Sequence, residues 1–272
     1  MNTSYNILKE FCQIRNIKSS YGGLSNPITN RVNFIHNFLD SNSIPFVDRV
    51  FSINNFKECL LSASDKKFCN IEISFNTNIK ENRLIFISHH DVNNINSDNM
   101  NDNSASVCHL LSLANWLKNK EYPVDIIIVD NEEFGMSGSA FLAKQIKLGK
   151  FGENPAVLNL ELTGFGDILH IEDREESPLH QKLMSFKSDI VSWHVPANDS
   201  YRLRNYGIDS ICLGILPQHE IDHRNKVGYA KCWSKMHSER DKFEDANDHD
   251  MKKFNLLLRR FTEKYAKNEA TI

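Results

Sequence analysis

The chain has 272 residues, of which 40% are hydrophobic, 25% charged and 10% aromatic, a composition that excludes collagen-like, mucin-like and intrinsically disordered proteins. Its formal net charge is −3, from 32 basic and 35 acidic residues with no long basic run, so we expect no nucleic-acid partner. No window holds the roughly 18 apolar residues of a membrane span, so we expect no membrane partner either.

The N-terminal residues 1–20 contain no apolar stretch behind a basic start. We therefore expect a cytoplasmic protein without a signal peptide; a leaderless or processed exported chain is the alternative. The six cysteines show no Cys-x-x-Cys spacing, and two of them lie inside apolar runs, so we expect reduced thiols. An exported chain would instead carry one or two disulfide bonds.

Apolar residues recur in patterns that predict helices and strands along the chain. After a first helix, two strands at 47–53 and 69–75 are expected to pair antiparallel at a sheet edge, with residues 55–67 as their connection. Four short, nearly continuous apolar runs then predict strands that are buried on both faces, because such runs are too short for helices. These runs are 84–87, 126–129, 156–160 and 211–216.

Helical patterns lie between and around these four runs, at 107–117 and 141–146. Two further stripes are expected to cover the two faces of the sheet. The N-terminal stripe is Val32, Ile35, Phe38 and Leu39, and the C-terminal stripe is Phe254, Leu257, Leu258, Phe261 and Tyr265. The alternation predicts an α/β fold: a single domain over residues 1–272, with a mixed, mostly parallel β-sheet flanked by helices on both faces.

Side chains that can bind metals follow three of the predicted buried strands. Residues 88–91 (Ser-His-His-Asp) follow the first run, residues 130–133 (Asp-Asn-Glu-Glu) follow the second, and the third leads directly into Glu161. The C-terminal ends of parallel strands meet at one edge of a sheet, so we expect these groups to converge. Residues 101–104 (Asn-Asp-Asn-Ser), before the 107–117 helix, and His237 near the end of the chain add further candidates.

These segments offer two imidazoles and three carboxylates as ligands, plus one spare glutamate. Nitrogen and carboxylate oxygen without thiolate suit a catalytic zinc or similar divalent ion that keeps an open position for water. One ion could not use all of these groups. Two ions about 3.5–4 Å apart, sharing a bridging carboxylate, could use them all and leave one glutamate for proton transfer.

The motifs resemble, in order and spacing, those of the co-catalytic zinc aminopeptidases, metallopeptidase family 28. The resemblance rests on His89-His90-Asp91, Asn101 to Ser106, Glu132-Glu133-Phe134-Gly135, Asn159-Leu160-Glu161 and His237-Ser238.

The resemblance implies a zinc-aminopeptidase-like fold and two bound Zn²⁺ ions. It makes Asp102 the bridging ligand, with His89 and Glu161 completing one metal site. It places Glu133 and His237 at the other metal site. Glu161 stands at a position that is aspartate in many members of the family.

The catalytic residues that the resemblance implies are Glu132 as the general base and Asp91 as the carboxylate that orients His89. A carboxylate behind a metal-bound imidazole is also what physical chemistry predicts. The implied activity is hydrolysis of an amide bond, with a peptide or a small aminoacyl or acyl amide as substrate. The side-chain preference and the oligomeric state are left open.

Several alternatives remain at this point. Asp102 could simply cap the 107–117 helix, and His90 could be the ligand in place of His89. A glutaminyl-cyclase-like acyltransferase resembles the family in fold and motifs but uses a single zinc. A tryptophan directly before the last histidine would favour that class, and here the position is Met236, with Trp233 three residues earlier. A non-catalytic family member is the third alternative, which the complete set of ligands and base argues against.

Residues 219–223 (His-Glu-Ile-Asp-His) also match the His-Glu-x-x-His pattern of single-zinc metalloproteases. That pattern requires a helix, and Pro217 precedes it closely, so we expect these residues in a loop over 217–236. The roles of His219, Glu220 and His223 are left open, as are those of two arginines that could meet a substrate carboxylate. The arginines are Arg202 and Arg204.

Overall fold

An eight-stranded sheet forms the centre of the molecule in the computed structural model, which describes residues 3–14, 30–52, 67–94 and 96–267. The strand order is β1-β2-β4-β3-β5-β8-β6-β7. The strands are β1 (Val47–Ser52), β2 (Lys67–Ser74), β3 (Leu84–His89), β4 (Val124–Val129), β5 (Ala156–Leu160), β6 (Ile168–Glu172), β7 (Val191–Trp193) and β8 (Ser210–Leu216).

Helices pack on both faces of this sheet. They are α1 (Ser4–Phe11), α2 (Asn30–Ser41), α3 (Ala105–Leu117), α4 (Ser137–Lys147), α5 (Pro178–Phe186), α6 (Asp199–Arg204), α7 (Gln218–Val227) and α8 (Asp248–Ala266). Short 3₁₀ turns at Lys231–Lys235 and Phe243–Asp245 join the last two helices. The α/β class predicted from the sequence is confirmed.

The four central strands β4, β3, β5 and β8 run parallel to one another. All residues of these four strands are buried, as expected for strands covered on both faces. The predicted antiparallel pair at the edge is also correct, since β1 pairs antiparallel with β2. The predicted connection 55–67 lies outside the described residues, except for Lys67 at the start of β2.

The expectation that the two helical stripes cover opposite faces is wrong. Along β3, Leu84 and Phe86 belong to one apolar core, and Ile85 and Ile87 belong to the other. The N-terminal and C-terminal stripes both pack into the core that contains Leu84 and Phe86. The opposite face is covered by α4 and α6. An apolar stripe shows that a helix face is buried, but it carries no information about which side of the sheet buries it.

The loop expected over 217–236 is also wrong, because its first half forms helix α7. Pro217 occupies the N-cap position of α7, and Gly228 ends the helix with a positive φ of 91°. Proline does not break a helix that it precedes, because the first helical N–H groups have no intrahelical acceptor. Pro217 and Gly228 thus mark the two ends of α7.

Among the described residues, no helix combines the length and apolarity that a bilayer crossing requires. The described cysteines are buried and form no disulfide bond with one another, and Cys59 lies outside the described residues.

Candidate metal centre

His89 is the last residue of β3, and its ring is almost completely buried at the C-terminal edge of the sheet. Its Nε2 atom lies 3.3 Å from Asp102 Oδ1 and 3.5 Å from Glu161 Oε2. Its other ring nitrogen, Nδ1, lies 3.4 Å from Asp91 Oδ1. One nitrogen therefore faces two carboxylates, and the other faces a third.

His237 approaches the same aspartate from the opposite side. Its Nε2 atom lies 3.3 Å from Asp102 Oδ2 and 3.0 Å from Glu133 Oε2. The His237 side chain is 54% exposed, so this side of the cluster borders solvent. The two oxygens of Asp102 thus face two different sets of ligand atoms.

The separations within each set fit a metal. Zinc bonds of about 2.0–2.1 Å in a tetrahedron place neighbouring ligand atoms about 3.3 Å apart. The distances of 3.0 to 3.5 Å from the two histidines to their carboxylates match this edge length. Ligand atoms of His89, Asp102 and Glu133 also lie within 4.8 Å of one another, and Glu133 Oε1 is buried without a hydrogen-bond partner among the described residues. The residues present can therefore hold a divalent cation.

An irregular segment, Met100–Ser104, presents Asp102 to the histidines. Asp102 has non-helical φ and ψ of −119° and 84°, and helix α3 begins after Ser104. The alternative in which Asp102 caps this helix is therefore wrong. Asp241 holds the segment in place, because its carboxylate accepts hydrogen bonds from the backbone N–H groups of Asn101 and Asp102.

Two buried amides orient the glutamate that follows β5. The Nδ2 atom of Asn103 donates to Glu161 Oε2, and the Nδ2 atom of Asn159 donates to Glu161 Oε1. Sequence analysis assigned no role to these amides or to Asp241. Their positions in the sequence could have indicated a role at the site, since all three lie within the motif segments or a few residues from them.

Asp91 connects the end of β3 to the turn that carries the two adjacent glutamates. Its Oδ1 accepts a hydrogen bond from the N–H of Glu132, and its Oδ2 accepts one from the N–H of Glu133, each at 3.1 Å. Together with its contact to His89 Nδ1, these bonds fix the relative positions of residues from β3 and from the loop after β4.

We expect Asp91→Asn to weaken metal affinity by about 10- to 100-fold, because the amide cannot match the charge that orients and polarises His89. Competition with a chromophoric chelator measures this affinity. Asp189→Asn is the matched control, since Asp189 is exposed and pairs with Lys187, another surface residue. Equal affinities for the two variants would contradict the orienting role.

The side chain of Glu132 lies on a cavity beside the cluster, together with His89, Asp102, Glu161 and His237. Burial raises the pKa of Glu132 well above its usual range; His89 opposes this rise and the nearby carboxylates add to it. A bound cation would lower this pKa again. The group is therefore placed to take up and release a proton next to the candidate ligands.

Asp199, at the start of α6, is a further acidic group near the cluster. It is completely buried. Burial raises its pKa to about 7; His89 opposes this shift, and the carboxylates of Glu161 and Asp91 increase it.

His90 points away from the cluster. Its Nε2 lies 3.1 Å from the carbonyl oxygen of Cys69 and 3.9 Å from Asp130 Oδ1. The structure therefore gives no support to the alternative with His90 as the ligand.

The His-Glu-x-x-His segment on α7 does not join the cluster either. His219 is 78% exposed, and the His223 ring stacks edge-on against Tyr229. Glu220 accepts a hydrogen bond from the N–H of Cys232 and so supports the turn that precedes His237. Arg204, considered above for substrate binding, instead pairs with Glu172.

The metal-free protein should carry a proton on His237 at neutral pH. Hydrogen bonds to Asp102 and Glu133 raise the pKa of His237 to about 10, despite partial burial that lowers it. A metal must displace this proton, so affinity should rise about tenfold per pH unit between pH 6 and 8 for each proton released. Chelator competition at several pH values measures this slope, and a pH-independent affinity would contradict it.

Solved structures of zinc exopeptidases and glutaminyl cyclases share this fold. The chain is 14% identical to a glutaminyl cyclase from an Acidobacteriales bacterium, with a TM-score of 0.74 over 98% of this chain and 94% of that one. It is 16% identical to the glutaminyl cyclase of Porphyromonas gingivalis, with a TM-score of 0.72 over 97% of each chain. A leucine aminopeptidase precursor from Bacteroides thetaiotaomicron gives 16% identity and a TM-score of 0.69 over 99% of this chain and 97% of that one.

These identities show a common fold and leave the reaction open. No curated protein sequence matches the chain. The model of peptidase family M28 matches residues 70–262, well over half of the sequence, and this range includes every candidate ligand. The chain therefore belongs to peptidase family M28.

Proposed function

We propose that this protein is a di-zinc aminopeptidase, a hydrolase that cleaves the amide bond after the N-terminal residue of a peptide or of a small aminoacyl amide. The observation that carries the proposal is the position of Asp102. One of its oxygens lies near His89 and the other near His237, and each histidine has its own glutamate. A single ion would leave one of these two sets unused.

Two zinc ions held there would polarise a substrate carbonyl and lower the pKa of a water molecule toward neutrality. Of the two adjacent glutamates, Glu133 belongs to the ligand set and Glu132 does not. We assign it the proton transfers: its carboxylate accepts a proton from the attacking water and then donates that proton to the leaving amine nitrogen. Asp91 keeps the ring of His89 oriented throughout, and the buried amides of Asn103 and Asn159 hold Glu161.

The test combines metal quantification with a panel of aminoacyl 4-nitroanilides and short peptides. We expect about two zinc ions per chain, release of the N-terminal residue, and loss of activity with a chelator that added zinc reverses. Failure of the zinc-loaded protein to cleave any aminoacyl amide would overturn the proposal.

A single-zinc glutaminyl cyclase is the second candidate, and one observation favours it. Trp233 is not adjacent to His237 in sequence, yet both residues border the same cavity. A tryptophan therefore lines the same cavity as the last histidine. Incubation with glutaminyl and leucyl peptides separates the two candidates, because a cyclase releases ammonia from the glutaminyl peptide and cleaves neither chain.

A further inference from the structure

A cavity of about 130 Å³ adjoins the candidate ligands. Beyond the ligand cluster and Glu132, the described residues that form its walls carry no charged side chain. Leu162, Val195, Cys212, Trp233 and Met236 form much of the wall. In the proposed reaction, a substrate group that fills this cavity would lie next to the scissile carbonyl. The volume is comparable to that of a cavity that binds benzene. The cavity thus fits one compact, uncharged side chain.

The wall also contains one histidine, His170 of β6, which is only 1% exposed. Neither of its ring nitrogens has a hydrogen-bond partner among the described residues. Its ring lies beside the rings of Trp193 and Trp233, with centroids 5.6 and 6.0 Å away. Buried polar groups without partners are rare in folded proteins and call for an explanation.

The neighbouring strand β8 leaves space for this imidazole because it has a glycine opposite His170. His170 is paired with Gly214 of β8, and a Cβ atom at position 214 would lie 2.5 Å from His170 Nε2 and 2.5 Å from the carbonyl oxygen of Glu161. Any larger residue would therefore displace the ring. Because Gly214 has no side chain, the His170 ring can lie across β8, toward the end of β5 that Glu161 follows.

The imidazole is neutral, because burial lowers the pKa of His170 to about 3 and the charge of Arg224 adds to this effect. A neutral imidazole has one donor and one acceptor nitrogen. The indole Nε1 of Trp233 is another buried donor without a partner among the described residues. The wall therefore offers two donors and one acceptor that the described residues leave unused.

We propose that His170 is a specificity-determining residue whose imidazole hydrogen-bonds an uncharged polar group on the substrate side chain next to the scissile carbonyl. This inference rests on the proposed function, which places that side chain in the cavity. Hydroxyl and carboxamide side chains satisfy the unpaired nitrogens, whereas aliphatic side chains of the same size leave them unpaired. Charged side chains would find no counter-charge among the described wall residues beyond the ligand cluster and Glu132.

Pairs of substrates with equal shape test this preference. We expect the wild-type protein to hydrolyse threonyl over valyl, and asparaginyl over leucyl, 4-nitroanilides with kcat/KM values higher by about tenfold or more. In His170→Phe, which keeps a ring but loses both nitrogens, each ratio should fall to within about twofold. His170→Gln should restore part of the preference. Trp193→Phe is the control, because Trp193 packs on the same ring without bordering the cavity, and it should retain the wild-type ratios.

Wild-type ratios near one, or ratios that His170→Phe leaves unchanged, would overturn the inference. A binding experiment separates this failure from failure of the proposed function. Calorimetry with zinc-loaded Glu132→Gln protein should show asparagine amide binding about tenfold more tightly than leucine amide. Nitrogen NMR of labelled histidine should show the His170 resonances shifting only with asparagine amide. Equal affinity, or no binding of either amide, would overturn the inference whether or not any substrate is cleaved.

Discussion

Glu132→Gln should lower kcat by about 10²- to 10⁴-fold while the protein keeps its full metal content. Glutamine preserves the size and burial of the side chain but cannot accept a proton from water. The backbone N–H of residue 132 still donates to Asp91, so the turn that positions the candidate ligand Glu133 should remain intact. The loss should therefore appear in kcat rather than in metal binding.

Steady-state kinetics and elemental analysis of the same preparation measure both quantities. Glu239→Gln is the matched control, because Glu239 is exposed and lies two residues after His237. It should retain normal turnover. Near-normal activity of Glu132→Gln would remove Glu132 from the mechanism, and loss of metal in this variant would make its role structural.

His89→Ala should remove one metal equivalent per chain and reduce activity by at least about 10²-fold, the loss expected when a required cation is absent. The Nε2 atom of His89 lies within 3.5 Å of both Asp102 Oδ1 and Glu161 Oε2, so its removal disables one ligand set. The set of Asp102 Oδ2, Glu133 and His237 is left in place. The remaining ion should bind with little change in affinity.

His90→Gln is the control for this experiment, because His90 is equally buried but bonds the Cys69 carbonyl instead of the ligand carboxylates. It should keep the wild-type stoichiometry. Circular dichroism would check that both variants fold. An unchanged metal count in folded His89→Ala would contradict the two-ion arrangement.

The convergence of the site was predictable because it follows from strand direction. Strands β3, β4 and β5 are adjacent and parallel, so their C-terminal ends lie at one edge of the sheet. The apolar runs revealed these strands because both faces of each are buried. Residues that directly follow such runs, including His89 and Glu161, could therefore be placed together without coordinates.

The groups that hold the ligands were not predictable in the same way. Asp241 bonds the N–H of Asn101 across 140 positions of the chain, and no periodic pattern marks such a contact. His170 likewise lies on an ordinary buried strand, and its importance depends on the glycine opposite it on β8. These features arise from tertiary packing, which a local sequence pattern does not encode.

The predicted loop over 217–236 and the predicted placement of the two helical stripes were wrong because each sequence pattern is compatible with two structures. Pro217 favours a loop when it is considered alone, but proline is well tolerated just before a helix, and α7 begins at the next residue. The helical stripes predicted burial correctly, but both α2 and α8 pack into the same core.

Anomalous X-ray diffraction at the zinc absorption edge from zinc-loaded crystals tests the central claim most directly, because it locates each ion without reference to activity. The account predicts two peaks about 3.5–4 Å apart on either side of the Asp102 carboxylate, one beside His89 and the other beside His237. A single fully occupied peak at this carboxylate, or peaks elsewhere in the molecule, would contradict it.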